Sequence, residues 1–393
     1  MTDPIVIVSA ARTPIGGLLG DFKDMTSTQL GAAAIRAALL RAKLSPEFID
    51  EVLMGCVLPA GLGQAPARQA SFGGGLPEST PCTTVNKMCG SGLKAVMLAH
   101  DAIVADSVRI ALAGGMESMT NAPHLLLKSR AGHRLGNVKM ADHMSLDGLE
   151  DAYDKGKLMG VFAEACARDY QFTRAAQDQF ATASLDRAKK AGSDGTFAAE
   201  ITPITVKAKT GDIEIAKDEL PQKADPTKIP TLKPAFAPDG TVTAANSSSI
   251  SDGAAALILM RASEAEKRGI TPLARIVAHA SHAQAPALFT TAPVGALRKL
   301  SEKCGWALKN VDLFEVNEAF AVVTMAAMHD LDIPHDKMNV HGGACALGHP
   351  IGASGARILV TLLNALDKYS LKRGMASLCI GGGEAVAVAV EKL

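Results

Sequence analysis

The sequence has few aromatic residues and no excess of charge of either sign. Aromatic residues make up 4% of the 393 residues, and a single one is tryptophan. Lysine plus arginine number 40, as do aspartate plus glutamate, so the formal net charge is +0. An aromatic-rich binding module and the basic surface of a nucleic-acid-binding protein are therefore both excluded as expectations.

Long apolar runs and a basic leader are also lacking. The apolar runs are short and interrupted by glycine, well below the roughly 20 residues that a membrane-spanning helix needs. The start, MTDPIVIVSAARTP, is acidic where a signal peptide would be basic. We therefore expect a cytoplasmic protein with no membrane partner. In that reducing compartment, seven cysteines in so long a chain predict free thiols and not a disulfide framework.

Two units of the sequence are repeated near its two ends. CGSGLKAVMLAHDAIVAD (89–106) leads to VRIALAGGME (108–117), and GASGARILVTLLNALD (352–367) leads to MASLCIGGGE (375–384). In each, a Ser-Gly pair opens a long apolar helix, and a hydrophobic strand then ends in glycines and a glutamate. The repeats predict two similar α/β halves, and the strand-helix-strand alternation predicts mainly parallel sheets.

The repeats divide the chain into three parts. We predict a first α/β half from residues 1–120 plus 245–272 and a second from residues 273–393. The segment 121–244 is richer in charge and turns, and it contains one clear helical pattern at 173–192. We interpret this segment as an inserted loop domain that covers a substrate.

Cys89 is the first candidate for chemistry. It lies between an apolar run and a helix that opens with Gly-Ser-Gly. A thiol at a helix N-terminus faces unpaired N–H groups and the positive end of the helix dipole, so we expect a lowered pKa and a reactive thiolate. Gly90 and Gly92 would let a bulky acyl group approach. The alternative is a buried structural cysteine.

Further candidates lie in three motifs of the second half. In NVHGGACALGHPIGASG, glycines and a proline place His349 in a tight loop, where an imidazole is suited to proton transfer near neutral pH. In SLCIGGGEA, Cys379 precedes glycines whose N–H groups suit an oxyanion hole. In VNEAF, Asn317 either caps a helix or holds a water in a site. A loop histidine and a buried strand cysteine are the ordinary alternatives for the first two.

Together these motifs resemble those of the thiolase family. The blocks VNKMCGSGLKAV, NVHGGACALGHPIGASG, SLCIGGGEA and NEAFA agree with it in order and spacing, and the resemblance runs from IVSAARTPIG to the C-terminus. The acetyl-CoA acetyltransferases are the most similar members. The resemblance implies a duplicated, five-layered αβαβα fold. It also implies reversible Claisen condensation of two acetyl-CoA molecules to acetoacetyl-CoA and coenzyme A.

The resemblance also implies a role for each motif residue. Cys89 would carry the acyl group as a thioester, and His349 would activate Cys89 and polarise a thioester oxygen. Cys379 would take a proton from the methyl group of the second acetyl-CoA. Asn317 would hold a water that, with His349, binds the enolate oxygen. The backbone N–H groups of Cys89 and Gly381 would form the other oxyanion site.

Substrate contacts are implied by position along the chain. The matching residues are Leu149, Met159, Phe236, Ala244, Ser248, Phe289, Ala319 and Phe320. TVTAANSSSISDGAA resembles the family's pantetheine loop, but Ser247 and Ser249 replace alanine and glycine. Leu158 replaces a histidine of many short-chain members, which bears on acyl-chain length. No cofactor or metal is expected, because coenzyme A and acyl-CoA thioesters are the substrates.

Other functions remain to be weighed against this one. A 3-ketoacyl-CoA thiolase of broader range, acting in fatty-acid degradation, is the nearest alternative. A decarboxylating condensing enzyme of the ketoacyl-synthase type would pair its cysteine with two histidines, or with histidine and asparagine, so Cys379 argues against it. A non-catalytic acyl-CoA-binding protein would not need all four motif residues, and a cysteine hydrolase would not need the second cysteine.

The quaternary structure is a further expectation. The resemblance implies a dimer, and we expect a homotetramer built from two dimers. The charged segment 121–140 is suited to the contact between dimers, and an exposed lid is the alternative for it.

Overall fold

The computed structural model describes residues 3–209 and 211–393, and a large mixed sheet runs through it. The strands in these residues are β1 (Ile5–Arg12), β2 (Gly16–Gly17), β3 (Glu51–Gly55), β4 (Cys82–Val85), β5 (Ile110–Ser118), β6 (His124–Leu125), β7 (Ala141–Asp142), β8 (Ile204–Ala208), β9 (Gly211–Ile215), β10 (Ser251–Arg261), β11 (Ala274–Ala283), β12 (Leu313–Val316), β13 (Arg373–Ile380) and β14 (Glu384–Lys392).

Helices cover and separate the strands. The α-helices in the described part of the chain are α1 (Ser27–Ala42), α2 (Pro66–Gly73), α3 (Ser91–Val104), α4 (Met159–Asp169), α5 (Arg174–Ser193), α6 (Glu219–Lys223), α7 (Ala262–Lys267), α8 (Ala292–Cys304), α9 (Ala321–Leu331), α10 (Ala344–Leu347) and α11 (Ser354–Lys368). Short 3₁₀ turns lie at Pro46–Phe48, Ser129–Ala131, Thr196–Ala199, Pro226–Thr231, Pro286–Thr291, Leu308–Asn310 and His335–Lys337, and a π-helical turn at Ser145–Leu149. No described helix has both the length and the apolar composition required to cross a bilayer.

The strand order shows the same arrangement twice. Along the sheet it is β4-β3-β5-β10-β1 and then β11-β14-β13-β12, and the two halves meet where β1 pairs with β11. β5 and β13 occupy equivalent places, as do β10 and β14. The predicted duplication of an α/β unit therefore corresponds to a repeated strand order.

The prediction of mainly parallel sheets is wrong. β10 runs antiparallel to both β1 and β5, and β14 runs antiparallel to both β11 and β13. Parallel pairing is confined to β3 with β4 and β5, and to β12 with β13, among the named strands of the described chain. The reason is the connection: β14 follows β13 through a tight glycine turn, and β10 is reached from the inserted segment and not through a crossover helix.

The order of the helix and sheet layers follows from the side chains of the central strands, which alternate between two hydrophobic cores. Ala255, Leu257 and Leu259 of β10 belong to a core shared with α3 and α11, whereas Ala256 and Ile258 point to the opposite core under α1. β14 alternates in the same way between the central helices and the outer helix α8. Since successive residues of a strand face opposite sides, the order of layers is helix, sheet, helix, sheet, helix. This is the predicted five-layered αβαβα fold.

The two central helices touch at the Ser-Gly pairs of the repeats. A Cβ atom on Gly92 would lie 2.8 Å from the backbone nitrogen of Ala356, and one on Gly355 would lie 2.7 Å from Cβ of Leu93. Only glycine allows this approach. The N-termini of α3 and α11 therefore meet in the middle of the molecule, one just after Cys89 and the other just after the loop of His349.

The segment 121–244 has more regular structure than predicted. The helix expected at 173–192 is α5, with Thr173 as its N-cap, but α4 was not predicted. After α5, a 3₁₀ turn at Thr196–Ala199 leads to β8, which pairs with β9. Ile201 forms a bridge with Arg12, so this segment returns to the first half. The proposed domain limits stay a prediction.

Candidate active site

A cavity of about 760 Å³ opens where the two halves and the inserted segment meet. Residues of the first half, the second half and the insert line it together. The predicted site residues that line it are Cys89, Leu149, Met159, Phe236, Ala244, Ser248, Phe289, Ala319, Phe320, His349, Cys379 and Gly381. Asn317 does not line the cavity but lies directly behind His349. The structure thus brings together residues that are nearly 300 positions apart in sequence.

Cys89 lies in the turn between β4 and α3. Its thiol faces the backbone N–H of Gly381 across the cavity as well as its own N–H, and both favour the thiolate. Burial nevertheless outweighs them and raises the pKa of Cys89 to about 11. The expectation of a lowered pKa is therefore wrong, because burial of the thiol has a larger effect than the two N–H groups. Cys89 needs a base to become a nucleophile.

His349 is placed to be that base. Gly348, with φ of 103°, turns the chain, and the N–H of His349 donates to the carbonyl of Ser249 at 3.0 Å. Nδ1 of His349 lies 2.6 Å from Oγ of Ser354, which itself donates to the carbonyl of Pro350 at 3.0 Å. Since the serine hydrogen is used on Pro350, the imidazole donates its own Nδ1–H to Ser354. Nε2 therefore carries the lone pair.

The environment of His349 keeps it neutral. Burial lowers the pKa of His349 to about 3, and the positive charge of Arg357 acts in the same direction. Nε2 has no hydrogen-bond partner among the residues that the structure describes. A buried, unprotonated nitrogen at the edge of a cavity can accept a proton from a thiol there.

Cys379 is buried at the end of β13. Burial raises the pKa of its thiol well above the usual range, and the nearby Cys89 raises it further. The following turn, with Gly382 at φ of 94° and Gly383 at 86°, needs glycine at both positions. It directs the N–H of Gly381 back to Cys89. The thiolate of a thiol with so high a pKa can remove a proton from carbon only where the developing enolate is also stabilised.

Asn317 does not cap the following helix. The N-cap of α9 is Phe320, so the helix-capping alternative is wrong. Nδ2 of Asn317 lies 3.4 Å from Nδ1 of His349, and the backbone N–H of Asn317 donates to the carbonyl of Ser377 at 3.0 Å. Its Oδ1 is buried and has no partner among the described residues. A buried amide oxygen of this kind can accept a further hydrogen bond. That Asn317 holds a water stays a prediction.

Two serines were not assigned a role from the sequence. Ser354 orients the imidazole, and the signal for it was its place in the repeated Ser-Gly pair. Ser247 lines the cavity, and its buried Oγ lacks a partner within the described chain. The signal for Ser247 was its departure from the alanine of the family pattern.

Leu158 and Lys223 also line the cavity. Leu158 is 39% exposed and presents an apolar side chain next to Met159. Lys223, which forms an ion pair with Glu219, places a positive charge beside the cavity.

Comparison with known proteins gives a consistent result along the whole chain. Residues 5–263 match the family model described as "Thiolase, N-terminal domain", and residues 270–392 match "Thiolase, C-terminal domain". The chain is 47% identical to an acetyl-CoA acetyltransferase of Allochromatium vinosum and 48% identical to that of Cupriavidus necator, over 100% of each chain. It is 46% identical to the cytosolic acetyl-CoA acetyltransferase of Mus musculus, over 100% of this chain and 99% of that protein.

A solved structure has the same fold. The crystal structure of Acat5 thiolase from Ascaris suum in complex with coenzyme A superposes with a TM-score of 0.93 at 38% sequence identity. The match covers 99% of this chain and 100% of that chain.

Proposed function

This chain belongs to the thiolase family, and from that premise we propose that it catalyses the reversible Claisen condensation of two acetyl-CoA molecules to acetoacetyl-CoA and coenzyme A. It is an enzyme, a transferase of acyl groups. The observation that carries the proposal is the meeting of two cysteines and one unprotonated imidazole nitrogen in a single cavity, with a buried amide directly behind the imidazole.

The first half of the proposed reaction is acylation of Cys89. Nε2 of His349 takes the thiol proton, and the thiolate attacks the carbonyl carbon of acetyl-CoA. The N–H groups of Cys89 and Gly381, which already face the sulfur, stabilise the oxyanion. Coenzyme A leaves as a thiolate and takes a proton from Cys379. The site then holds an acetyl-Cys89 thioester, a His349 imidazolium and a Cys379 thiolate.

The second half is carbon–carbon bond formation. The Cys379 thiolate removes a methyl proton from the second acetyl-CoA. The enolate oxygen is stabilised by the Nε2–H of His349 and by a water held on Oδ1 of Asn317. The enolate carbon attacks the acetyl-Cys89 carbonyl, and acetoacetyl-CoA forms. Cys89 leaves as a thiolate and regains its proton from His349. Cys379 gave its proton to coenzyme A and has replaced it with the proton from the substrate methyl group. All three side chains are therefore back in their starting protonation states.

Coenzyme A and its thioesters are the proposed substrates, with no resident cofactor. The cavity wall is mainly apolar and includes Phe236, Phe289 and Phe320, which suits the acyl and pantetheine portions of the substrate. The hydroxyl of Ser248 lies on the same wall, and the unpartnered hydroxyl of Ser247 is a further hydrogen-bonding group for a bound thioester. We place the phosphates outside the apolar part, toward Lys223.

One alternative function is favoured by a specific observation. Leu158 gives the cavity an apolar wall where many short-chain members have a polar ring, so longer 3-ketoacyl-CoA thioesters could be accepted. This is the broader-range 3-ketoacyl-CoA thiolase. The two functions differ in chain-length preference and not in chemistry.

Quaternary structure and location belong to the same proposal. The segment 121–140 exposes Leu126, Leu127, Val138 and Met140, and Leu135 is fully exposed. Apolar side chains so exposed in one segment support its role in a contact between dimers of a homotetramer. We propose a cytoplasmic location, supported by the cytosolic mouse relative.

A thiolysis assay tests the function. The purified chain is given coenzyme A with acetoacetyl-CoA or with longer 3-ketoacyl-CoA thioesters, and loss of the 3-ketoacyl-CoA is followed. We expect cleavage of acetoacetyl-CoA and, in the reverse direction, its formation from acetyl-CoA alone. No turnover of any 3-ketoacyl-CoA would refute the proposal. Preference for chains of six carbons or more would favour the alternative.

A further inference from the structure

Three ligand-type side chains converge near the C-terminal end of α3, outside the active-site cavity. His100 and Asp101 lie on α3, and His279 lies on β11. Nδ1 of His100 is 3.1 Å from Oδ1 of Asp101, and Nε2 of His279 is 2.7 Å from the same oxygen. All three ligand atoms lie within 4.8 Å of one another. In the described chain, this is the one group of three histidine, cysteine or acidic side chains so arranged.

The spacing of these atoms suits a metal ion. Cis ligands of an ion with bonds of about 2.1 Å are separated by about 3.0 Å in octahedral geometry and by about 3.4 Å in tetrahedral geometry. The observed separations of 2.7 and 3.1 Å from the shared oxygen are close to the first of these. The two imidazole rings meet edge to face, with centroids 5.1 Å apart, so that two nitrogens can point to one centre without the rings colliding.

The donor set selects the kind of ion. Two imidazole nitrogens and one carboxylate oxygen suit first-row transition metals such as Zn²⁺, Co²⁺ and Ni²⁺, whereas Mg²⁺ and Ca²⁺ prefer oxygen ligands alone. The side chains of His100 and His279 are 18% and 12% exposed and that of Asp101 is 53% exposed, so an ion can enter from solvent and keep water in its remaining positions. Lys303, whose Nζ donates to the carbonyl of His279, adds nearby positive charge that weakens the affinity.

We propose that His100, Asp101 and His279 bind one divalent transition-metal ion, Zn²⁺ in the first place. Without the ion, the two ring nitrogens that face Asp101 donate their N–H to its carboxylate, which can only accept. With the ion bound, each neutral imidazole carries its proton on its other nitrogen and presents a lone pair to the metal, so binding requires no net loss of protons. The site links α3 of the first half to β11 of the second, and His100 and His279 are far apart in sequence. The ion therefore binds the folded chain alone and stabilises it.

The chain contains its own control. His329 and Asp330 repeat the His-Asp dipeptide on another helix, α9, with Nδ1 and Oδ1 2.9 Å apart. No third histidine, cysteine or acidic ligand joins that pair within the described residues. A His-Asp pair alone should therefore not hold the ion, and the contribution of His279 is separable from that of the dipeptide.

The experiment uses the full chain with Cys89→Ala and Cys379→Ala, so that the active-site thiols do not bind zinc. Zn²⁺ is added, excess is removed by gel filtration, and bound zinc is measured by mass spectrometry and X-ray absorption. We expect one zinc per chain, with nitrogen and oxygen neighbours at about 2.0–2.1 Å and no sulfur neighbour near about 2.3 Å. We also expect the unfolding temperature to rise by roughly 3 °C at Zn²⁺ concentrations a hundredfold above Kd.

Two single substitutions in that background decide the assignment. His279→Gln should abolish both the bound zinc and the thermal shift, and His329→Gln should leave both unchanged. Zinc retained in His279→Gln, zinc lost in His329→Gln, or no zinc bound by the parent would each overturn the proposal. Without added zinc, His279→Gln should unfold cooperatively at a temperature close to that of its parent, which shows that the variant folds. No readout of this experiment depends on the proposed function.

Discussion

The carboxylate of Glu117 accepts a hydrogen bond from the backbone N–H of Gly352, three residues beyond His349, at 2.9 Å. The same oxygen, Oε2, accepts from the N–H of Val57 at 2.9 Å, and Oε1 accepts from the N–H of Leu58 at 3.2 Å. Glu117 is fully buried and lies near the end of β5 in the first half. One side chain therefore attaches the loop of His349 to the half that carries Cys89.

Replacing the carboxyl group of Glu117 by an amide should disturb this attachment. Both oxygens of a carboxyl group can accept a hydrogen bond, whereas the NH₂ of Glu117→Gln cannot, so at least one buried donor among the N–H of Leu58, the Cys56 thiol and the N–H groups on Oε2 loses its acceptor. We expect a loss of about 1–3 kcal/mol in the free energy of unfolding at pH 4.5, where Glu117 is protonated in the folded parent. Acetylation of Cys89 should also slow, by up to about 10²-fold, because His349 shifts relative to the thiol. Denaturant titration and single-turnover acetylation measure the two effects.

Glu384→Gln is the matched control. Glu384 is the counterpart of Glu117 in the repeat, but it is partly exposed and pairs with Lys87. We expect little change in stability or acetylation rate for this variant. If Glu117→Gln behaved like Glu384→Gln, Glu117 would not position His349.

The stability of the protein should depend on pH through Glu117. Burial raises the pKa of Glu117 to about 7 from an ordinary value of 4.5. The folded chain thus binds this proton more tightly than the unfolded chain does. The contribution of the proton to the free energy of unfolding is fully present below pH 4.5 and is lost as the pH rises through about 7. The loss amounts to about 3 kcal/mol. The difference in unfolding free energy between the parent and Glu117→Gln, measured from pH 4.5 to 8, should follow this curve. A difference that does not vary with pH would contradict it.

Cys379→Ala should separate the two halves of the reaction. Condensation and thiolysis need Cys379 for proton transfer to and from carbon, whereas acylation needs mainly Cys89 and His349. We expect turnover to fall by at least about 10²-fold, as is typical of a lost general base, with a smaller loss in acetyl exchange between coenzyme A and an analogue. Cys166→Ala, a buried cysteine of the same apolar cluster, is the control and should change neither rate much. An equal loss of exchange and turnover in Cys379→Ala would show that the roles are not separate.

Leu158→His should narrow the range of acyl chains. The present leucine gives an apolar contact, and contacts of this kind change specificity by roughly 10- to 200-fold. We expect the ratio of kcat/KM for 3-ketohexanoyl-CoA to that for acetoacetyl-CoA to fall in the variant. Leu273→His, at a leucine of similar exposure outside the cavity, should leave the ratio unchanged. An unchanged ratio in Leu158→His would show that this position does not set chain length.

The parts of the site that could be predicted are those that depend on residues close together in the sequence. Glycine and proline around His349, and glycines after Cys89 and Cys379, constrain the backbone wherever they occur, and the repeated Ser-Gly pairs indicated two equivalent helices. The repeat predicted two similar α/β halves, and the resemblance to the thiolase family implied their five layers. These features do not depend on knowing which distant segments touch.

The parts that could not be predicted depend on tertiary packing. The pKa of Cys89 is governed by burial of its thiol between the two halves. The residues next to Cys89 in sequence do not indicate how far the fold shields the thiol from water. The antiparallel placement of β10 is determined by a chain that returns after an insert of more than a hundred residues. The buried Oδ1 of Asn317, which has no partner among the described residues, can be recognised only once the core around Asn317 and His349 is in place.

The central claim is that Cys89 carries the acyl group, and mass spectrometry of the acylated protein tests it most directly. The parent, Cys89→Ala and Cys82→Ser are incubated with isotopically labelled acetyl-CoA, quenched in acid and digested. We predict a labelled acetyl group on the Cys89 peptide of the parent and of Cys82→Ser, and no adduct in Cys89→Ala. A labelled acetyl group on another cysteine, or an adduct that persists in Cys89→Ala, would contradict the account.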